Sequence, residues 1–512
     1  MARAHYYYLL APLFVAALKA SAAEHEHEHP APEKLGNVTF ATTCAAVVQP
    51  RFERAVALLH SFAYGPAEDA FREVAAADPG CAIAHWGAAM AYYNQLWEPP
   101  NADDIAKAQA ELALANAHPA KSARERDFVE AAAAYYRDAG HVSPADRANA
   151  YASAMAGVAA RYPDDTETEV FYALALIATA PATDRTHANQ KKAVDILEPL
   201  YRKYPQHPGI AHYLIHACDS AELAPRGLAA ARAYYHIAPS VPHALHMPSH
   251  IFTRLGYWDD SIASNNAARE SARAHGDVGE ELHAMDYLVY AWLQRGRGDV
   301  AEREMAQLKQ MLPSLPASKF KIGYAANAIP VRLAVEQRKW DDAAALEPLP
   351  QSEPHVAAIV YWARAIGHSR GGHPDAADAD IAQIDACLES LRTAHNDYWA
   401  VQTEVLADSA RAWQFKARGD EKEATGRLAT AADKEDAIEK RPVTPGPIVP
   451  AREQLADMLL EYDRPVDSLR EYKLALTLAP RRHAALVGAI AAAKRLDDRA
   501  TVDAMYAQLY NL

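Results

Sequence analysis

The chain has 512 residues, 50% hydrophobic and 23% charged, a balance that argues against disorder and low-complexity polymers. Its 52 Lys and Arg against 66 Asp and Glu leave a net charge of −14, which speaks against a general nucleic-acid or anionic-membrane footprint. The 23 histidines are the unusual entry.

In chain order, residues 1–22 read as a secretory signal peptide: Arg3, a 13-residue apolar run from Tyr6 to Leu18, then Ala20-Ser21-Ala22. The run is too short to span a bilayer, so the expected mature protein is periplasmic or secreted, with no membrane span. Residues 23–43 read as a flexible tail rich in His and Pro. There, His25-Glu26-x-x-His29 matches the zinc-protease letters HExxH, but that motif needs a helix, and Pro30 and Pro32 follow at once. Cleavage after Ala22 would place an amine, two amides and the His25 imidazole together, a set suited to Cu(II) or Ni(II). His25, His27 and His29 are therefore a candidate metal-binding tail. In an exported chain Cys44 and Cys81 are expected to form a disulfide, and Cys218 and Cys387 to be buried thiols.

A small-x3-large-x2-apolar-x4-Pro spacing recurs at Ala67-Phe71-Val74-Pro79, Ala193-Leu197-Leu200-Pro205, Gly227-Ala231-Tyr234-Pro239 and Ser468-Tyr472-Ala475-Pro480. The small residue lets two helices approach, the large one fills the gap, and proline stops the second helix. Pro205 and Pro239 are 34 residues apart. This spacing resembles the tetratricopeptide (TPR) repeat family, and the resemblance covers most of residues 53–510. It implies an all-α fold, a TPR-like right-handed superhelical solenoid of antiparallel helix pairs, with a concave groove lined by the first helix of each pair. Helix pairs are expected at 257–296, 324–347, 357–384 and 399–437, and irregular repeats at 98–140 and 297–320. The solenoid is expected over 44–440, with C-terminal TPR-like repeats over 451–512. Between them lies a loop at 441–450, whose four prolines cannot be helical and which is expected to pack on the solenoid.

From His207 to His250 there are seven histidines in 44 residues. His212 and His216 follow Pro205 by seven and eleven residues, and His246 and His250 follow Pro239 by the same offsets. Each pair is spaced i, i+4, so both imidazoles share a helix face, and His243 adds a third one turn earlier. The next repeat places His283, Asp286 and Tyr290 at the positions of His243, His246 and His250. The resemblance to TPR proteins implies that such positions face the groove. Imidazoles with a carboxylate form a ligand set for copper, zinc or non-haem iron. His212, His216, His243, His246, His250, His283 and Asp286 are the candidate metal site. Arg332 and Arg364 are candidates for holding an anion in the groove.

P-loop, dinucleotide, nucleophile-elbow and CxxC motifs are missing from the sequence. The stretch PHALHMPSHIF resembles secreted bacterial TPR proteins with a His-rich central repeat. The reading is an exported TPR-type binding protein with a His-lined, metal-binding concave groove that takes a peptide, protein or small-molecule ligand. The alternatives are a metal-dependent enzyme (Cu, Zn or non-haem Fe) on the same solenoid, or a protein–protein scaffold without metal.

Overall fold

Alanine-rich segments with good helix propensity, each ended by a proline or a tight turn, give a chain of antiparallel helix pairs. The computed structural model describes residues 33–96, 99–315, 320–440 and 443–510. The expected signal peptide and the tail histidines His25, His27 and His29 lie outside the described residues. Among the described residues no strand occurs, and no helix is long and apolar enough to cross a membrane.

The helix starts follow ordinary capping chemistry. Asn101, Ser122, Ser143, Asp165, Asp277 and Asp420 each accept a hydrogen bond from the backbone N–H three residues on. Consecutive helices pack side by side, and several helices also touch the next but one, which builds the TPR-like superhelical solenoid. The repeat spacing is visible as packing. The Phe71 ring fills the space left by Gly87, where a Cβ would come within 2.3 Å of it. Sixteen residues also separate Tyr472 from Gly488, and there a Cβ would meet the ring at 2.2 Å. One device therefore joins neighbouring helices near both ends of the chain.

The structure departs from the sequence expectations in three places. Residues 98–140 are not irregular: Ala102–Ala117 and Ala123–Tyr136 are regular helices that pack on one another. The second helix expected within 324–347 is a five-residue stub, Trp340–Ala344, against whose backbone Gly367 packs closely. The tail is bound, not flexible, from Lys34 onward. Phe40 is wholly buried, with Phe52 and Phe128 at 5.2 Å and Trp86 at 5.6 Å, and Asn37 N–H donates to the Gln206 carbonyl at 2.8 Å. Next to this segment the Cys44 and Cys81 sulfurs lie at bonding distance, 2.00 Å, with Cα atoms 4.8 Å apart.

The C-terminal repeats fold back on the middle of the solenoid. Trp258 Nε1 donates to the Arg481 carbonyl at 2.9 Å, and His483 N–H donates to Gln294 Oε1 at 3.2 Å. Wholly buried Arg482 reaches Glu453 (2.7 Å), Glu336 (2.6 Å) and the Tyr290 hydroxyl (3.0 Å). The described part of the proline-rich loop is packed in beside this contact, with Val443, Thr444 and Ile448 buried.

Candidate metal centre

Four helical segments carry the central histidines. Pro208–Ala217 presents His212 and His216, and Val278–Gln294 presents His283. Pro242–His246 and Pro248–Leu255 present His243, His246 and His250. Pro248 lacks an N–H and divides what would be one helix, yet Met247 keeps helical angles (φ −53°, ψ −37°), so His246 and His250 still share a face.

The six imidazoles form two adjoining triads. The ligand nitrogens of His212, His216 and His243 lie within 4.8 Å of one another, and so do those of His246, His250 and His283. All six side chains are buried, between 0% and 7% exposed. The sequence placed them on an open groove surface; in the fold they are enclosed, because Phe62 covers one triad and Tyr287 the other. Phe62 lies 4.4 Å from His212 and 5.7 Å from His243 between ring centroids, and Tyr287 lies 4.7 Å from His246 and 5.2 Å from His250.

The surroundings fix the tautomers. His212 Nδ1 faces the His60 carbonyl at 2.6 Å, His246 Nδ1 faces Asn265 Oδ1 at 2.6 Å, and His250 Nδ1 faces Asp219 Oδ2 at 2.9 Å. Asn265 is oriented by its own Nδ2, which donates to the Ser261 carbonyl at 2.8 Å. These three oxygens can only accept, so each of the three rings is assigned its proton on Nδ1 and a lone pair on Nε2. His246 Nε2 and His250 Nε2 nevertheless lie 3.1 Å apart, as do His212 Nε2 and His216 Nε2. For His246 and His250 this brings two lone pairs together in a buried site, where they repel. A cation between them turns the repulsion into two bonds: nitrogens bound about 2.0–2.1 Å from a tetrahedral ion stand roughly 3.3 Å apart. Outward Nδ1–H groups held by oxygen acceptors are also the usual support of metal-bound imidazole.

Electrostatics agrees with neutral ligands. Burial first, then the neighbouring imidazoles, holds His212, His216 and His246 well below the usual histidine pKa. His283 is lowered first by burial and then by Lys321. His250 is pulled down to about 4 by burial, even though Asp219 works in the opposite direction. Burial is a larger cause than mutual repulsion of the imidazoles, and neutral imidazole is the form that binds metal.

Asp286 does not join the triads. Its carboxylate accepts from Arg332 Nε at 2.7 Å, and Arg332 also donates to Thr444 Oγ1 (2.9 Å) and to the Pro447 carbonyl (3.2 Å). One repeat beyond the imidazoles, the equivalent positions Asp286 and Tyr290 thus hold the proline-rich loop and Arg482. Arg332 is committed there, and Arg364 to Asp380 (2.6 Å) and Glu347 (2.5 Å), so neither is available for an anion. The acids that do reach the histidines are Asp219 and Glu280, the latter 3.7 Å from His243 Nδ1. Sequence reasoning missed both, although Asp219 follows His216 by one helical turn. Asp219 is in turn held by Arg254 (2.9 Å) and Lys440 (3.0 Å).

A third cluster, also missed, contrasts with these. Glu167 lies between His60 Nε2 and His207 Nε2, each at 2.8 Å, and His207 Nδ1 accepts from the Ile210 N–H, so its proton sits on Nε2. Burial opposes ionisation of Glu167, but His207 and His60 hold its carboxyl well below the usual range. Donor meets acceptor at each contact, and the cluster is complete without an ion.

No family model matches the chain, and no curated protein matches it. Solved structures similar to it include a human IFIT1 dimer with PPP-AAAA: 13% identity, 89% of this chain and 88% of that one, TM-score 0.36. Yeast Tom70 is 11% identical over 87% of this chain and 88% of that one, TM-score 0.31. Naa15/Naa10 bound to HypK-THB is 13% identical over 90% of this chain and 70% of that one, TM-score 0.24. All three are helical-repeat proteins. The chain's own helix pairs and their spacing are those of a TPR-like solenoid. In this TPR-like solenoid the residues that stand out are the buried imidazoles.

Proposed function

We propose that this is an exported TPR-type binding protein whose central repeats hold a transition metal ion, copper, zinc or iron, on buried histidines. The observation that carries the reading is the His246–His250 contact: two Nε2 lone pairs 3.1 Å apart, with both Nδ1 protons engaged elsewhere. Copper, zinc and iron accept imidazole, whereas calcium and magnesium prefer oxygen. Export rests on the N-terminal sequence and is supported by the Cys44–Cys81 proximity, since disulfides persist in oxidising compartments.

Elemental analysis of untagged, dialysed protein tests the reading. Stoichiometric metal is expected, and it should be lost when His212 and His246 are both replaced by Ala. Wild-type protein that takes up none of the three metals would overturn it, as would metal that survives the double replacement.

A metal-dependent enzyme is the second reading, and one feature favours it. A cavity of about 160 Å³ is walled by Tyr324, His355, Trp362, Tyr398 and Trp399 and also touches Arg254 and Lys440. Those two cations hold Asp219, which in turn holds His250, so a small molecule in the cavity would be linked to the centre through two residues. Its size suits a small molecule and not a folded partner.

A further inference from the structure

We infer that the two triads are one dinuclear centre, holding two copper ions side by side with three imidazoles each and a small bridging anion of the hydroxide class. This rests on the metal-binding reading above and adds to it the number, the arrangement and the bridge.

Within the first triad the rings are 4.7 Å (His212–His216), 5.1 Å (His212–His243) and 6.4 Å (His216–His243) apart. Across the boundary, His216–His250 is 6.1 Å and His243–His246 is 6.3 Å. The boundary is no wider than the triad itself, so ions seated in the two triads would be neighbours, as in two-metal sites about 3.5–4 Å apart. A single ion does not account for six ligands, since the nitrogens fall into two groups of three, each group within 4.8 Å.

Each triad has an i, i+4 pair whose Nε2 atoms meet at 3.1 Å, plus one further imidazole: His243 in the first triad and His283 in the second. In each triad at least one Nδ1 is held by a protein oxygen. The 34-residue repeat has built the same half-site twice, on neighbouring helices.

Imidazole binds a metal ion as a neutral ligand, and the nearest acids are already balanced: Asp219 by Arg254 and Lys440, Glu280 by Lys321 at 2.5 Å. Two divalent ions would bring charge that these paired acids do not offset, and an anion between them supplies the compensation. Copper accepts three imidazoles per ion, as zinc and iron do, and copper(II) is the ion whose coupled spins report a bridge.

The test is copper(II) loading of the full chain, with His25→Ala in every sample so that the N-terminal set does not contribute, followed by copper analysis and electron paramagnetic resonance. Two coppers per chain are expected, with a signal far below that of the copper present, because spins coupled through a bridge cancel. His243→Ala and His283→Ala should each drop to one copper and regain a full mononuclear signal. A thermal melt checks that the variants fold, and the parent protein decides the question by itself if they do not. One copper at saturation, or two with full signal intensity, would overturn the dinuclear centre alone. No copper, zinc or iron at all would remove the metal reading and this inference together.

Discussion

Phe62 stands edge-on over His212 with 4.4 Å between ring centroids, and it does so from a left-handed backbone, φ 55°. A bulky side chain in that region costs of order 1–3 kcal/mol and persists only where the surroundings hold it. Here the ring also stacks on His216 and His243, and the His60 carbonyl two residues earlier receives the His212 Nδ1–H. The end of the Gln49–His60 helix therefore both orients the first triad and covers it. Phe62→Ala should open the triad: transfer of bound metal to a strong chelator, followed by stopped-flow absorbance, is expected to be roughly tenfold faster, a barrier change of about 1.4 kcal/mol. Unchanged transfer would show that Phe62 is packing only.

Asn265 bears on affinity without touching a metal. Its Oδ1 fixes the His246 tautomer, and groups in this position are worth about 10–100-fold in metal affinity. Asn265→Ala should weaken binding by that factor in a competition titration, and Asn265→Asp, which keeps an acceptor, should recover most of it.

Metal-free protein should lose stability as the pH falls from about 6.5 to 4. The sign follows from proton counts: unfolded imidazoles bind protons near pH 6.5, whereas folded His250 binds one only near 4. Between those values the unfolded state holds more protons, so acid favours unfolding, and above pH 7 the effect vanishes. His250 alone contributes on the order of 3 kcal/mol to the loss, and the other lowered histidines act in the same direction. Urea midpoints of the apo-protein from pH 8 to pH 4 measure this, and a flat profile would contradict it.

Reduction of the Cys44–Cys81 pair should destabilise the N-terminal repeats. The two residues are 37 apart, and closing a loop of that length is worth on the order of 3–4 kcal/mol in the chain-entropy model. A non-reducing mass map should show both cysteines bonded, and Cys44→Ser should lower the first thermal transition.

Arg482 should be the least replaceable residue of the C-terminal repeats. Glu336 and Glu453 meet its guanidinium in a wholly buried site, and its removal leaves two buried acids without their cation. Arg482→Ala is expected to cost about 3–5 kcal/mol in urea unfolding. It should also make the 443–450 segment more sensitive to protease.

The sequence by itself determined the repeat. A small residue, a large one and a proline at fixed offsets are local requirements of helix pairing, so Phe71 and Tyr472 were legible as packing residues from spacing, while packing supplied Gly87 and Gly488 as what they close on. The equal offsets of His212/His216 and His246/His250 from their prolines likewise determined that the two pairs sit on equivalent turns. Only the tertiary structure decided what those turns face. Asp286 matched the pattern in register, but Arg332, 46 residues on, draws its carboxylate to the proline-rich loop. Asp219, Asn265 and His60 became partners of the imidazoles because packing brings together residues as much as 152 positions apart, and no period in the sequence encodes that. Burial was decided in the same way. The histidines are enclosed because Phe62 and Tyr287 are folded over them, and that enclosure, more than their mutual repulsion, keeps them neutral.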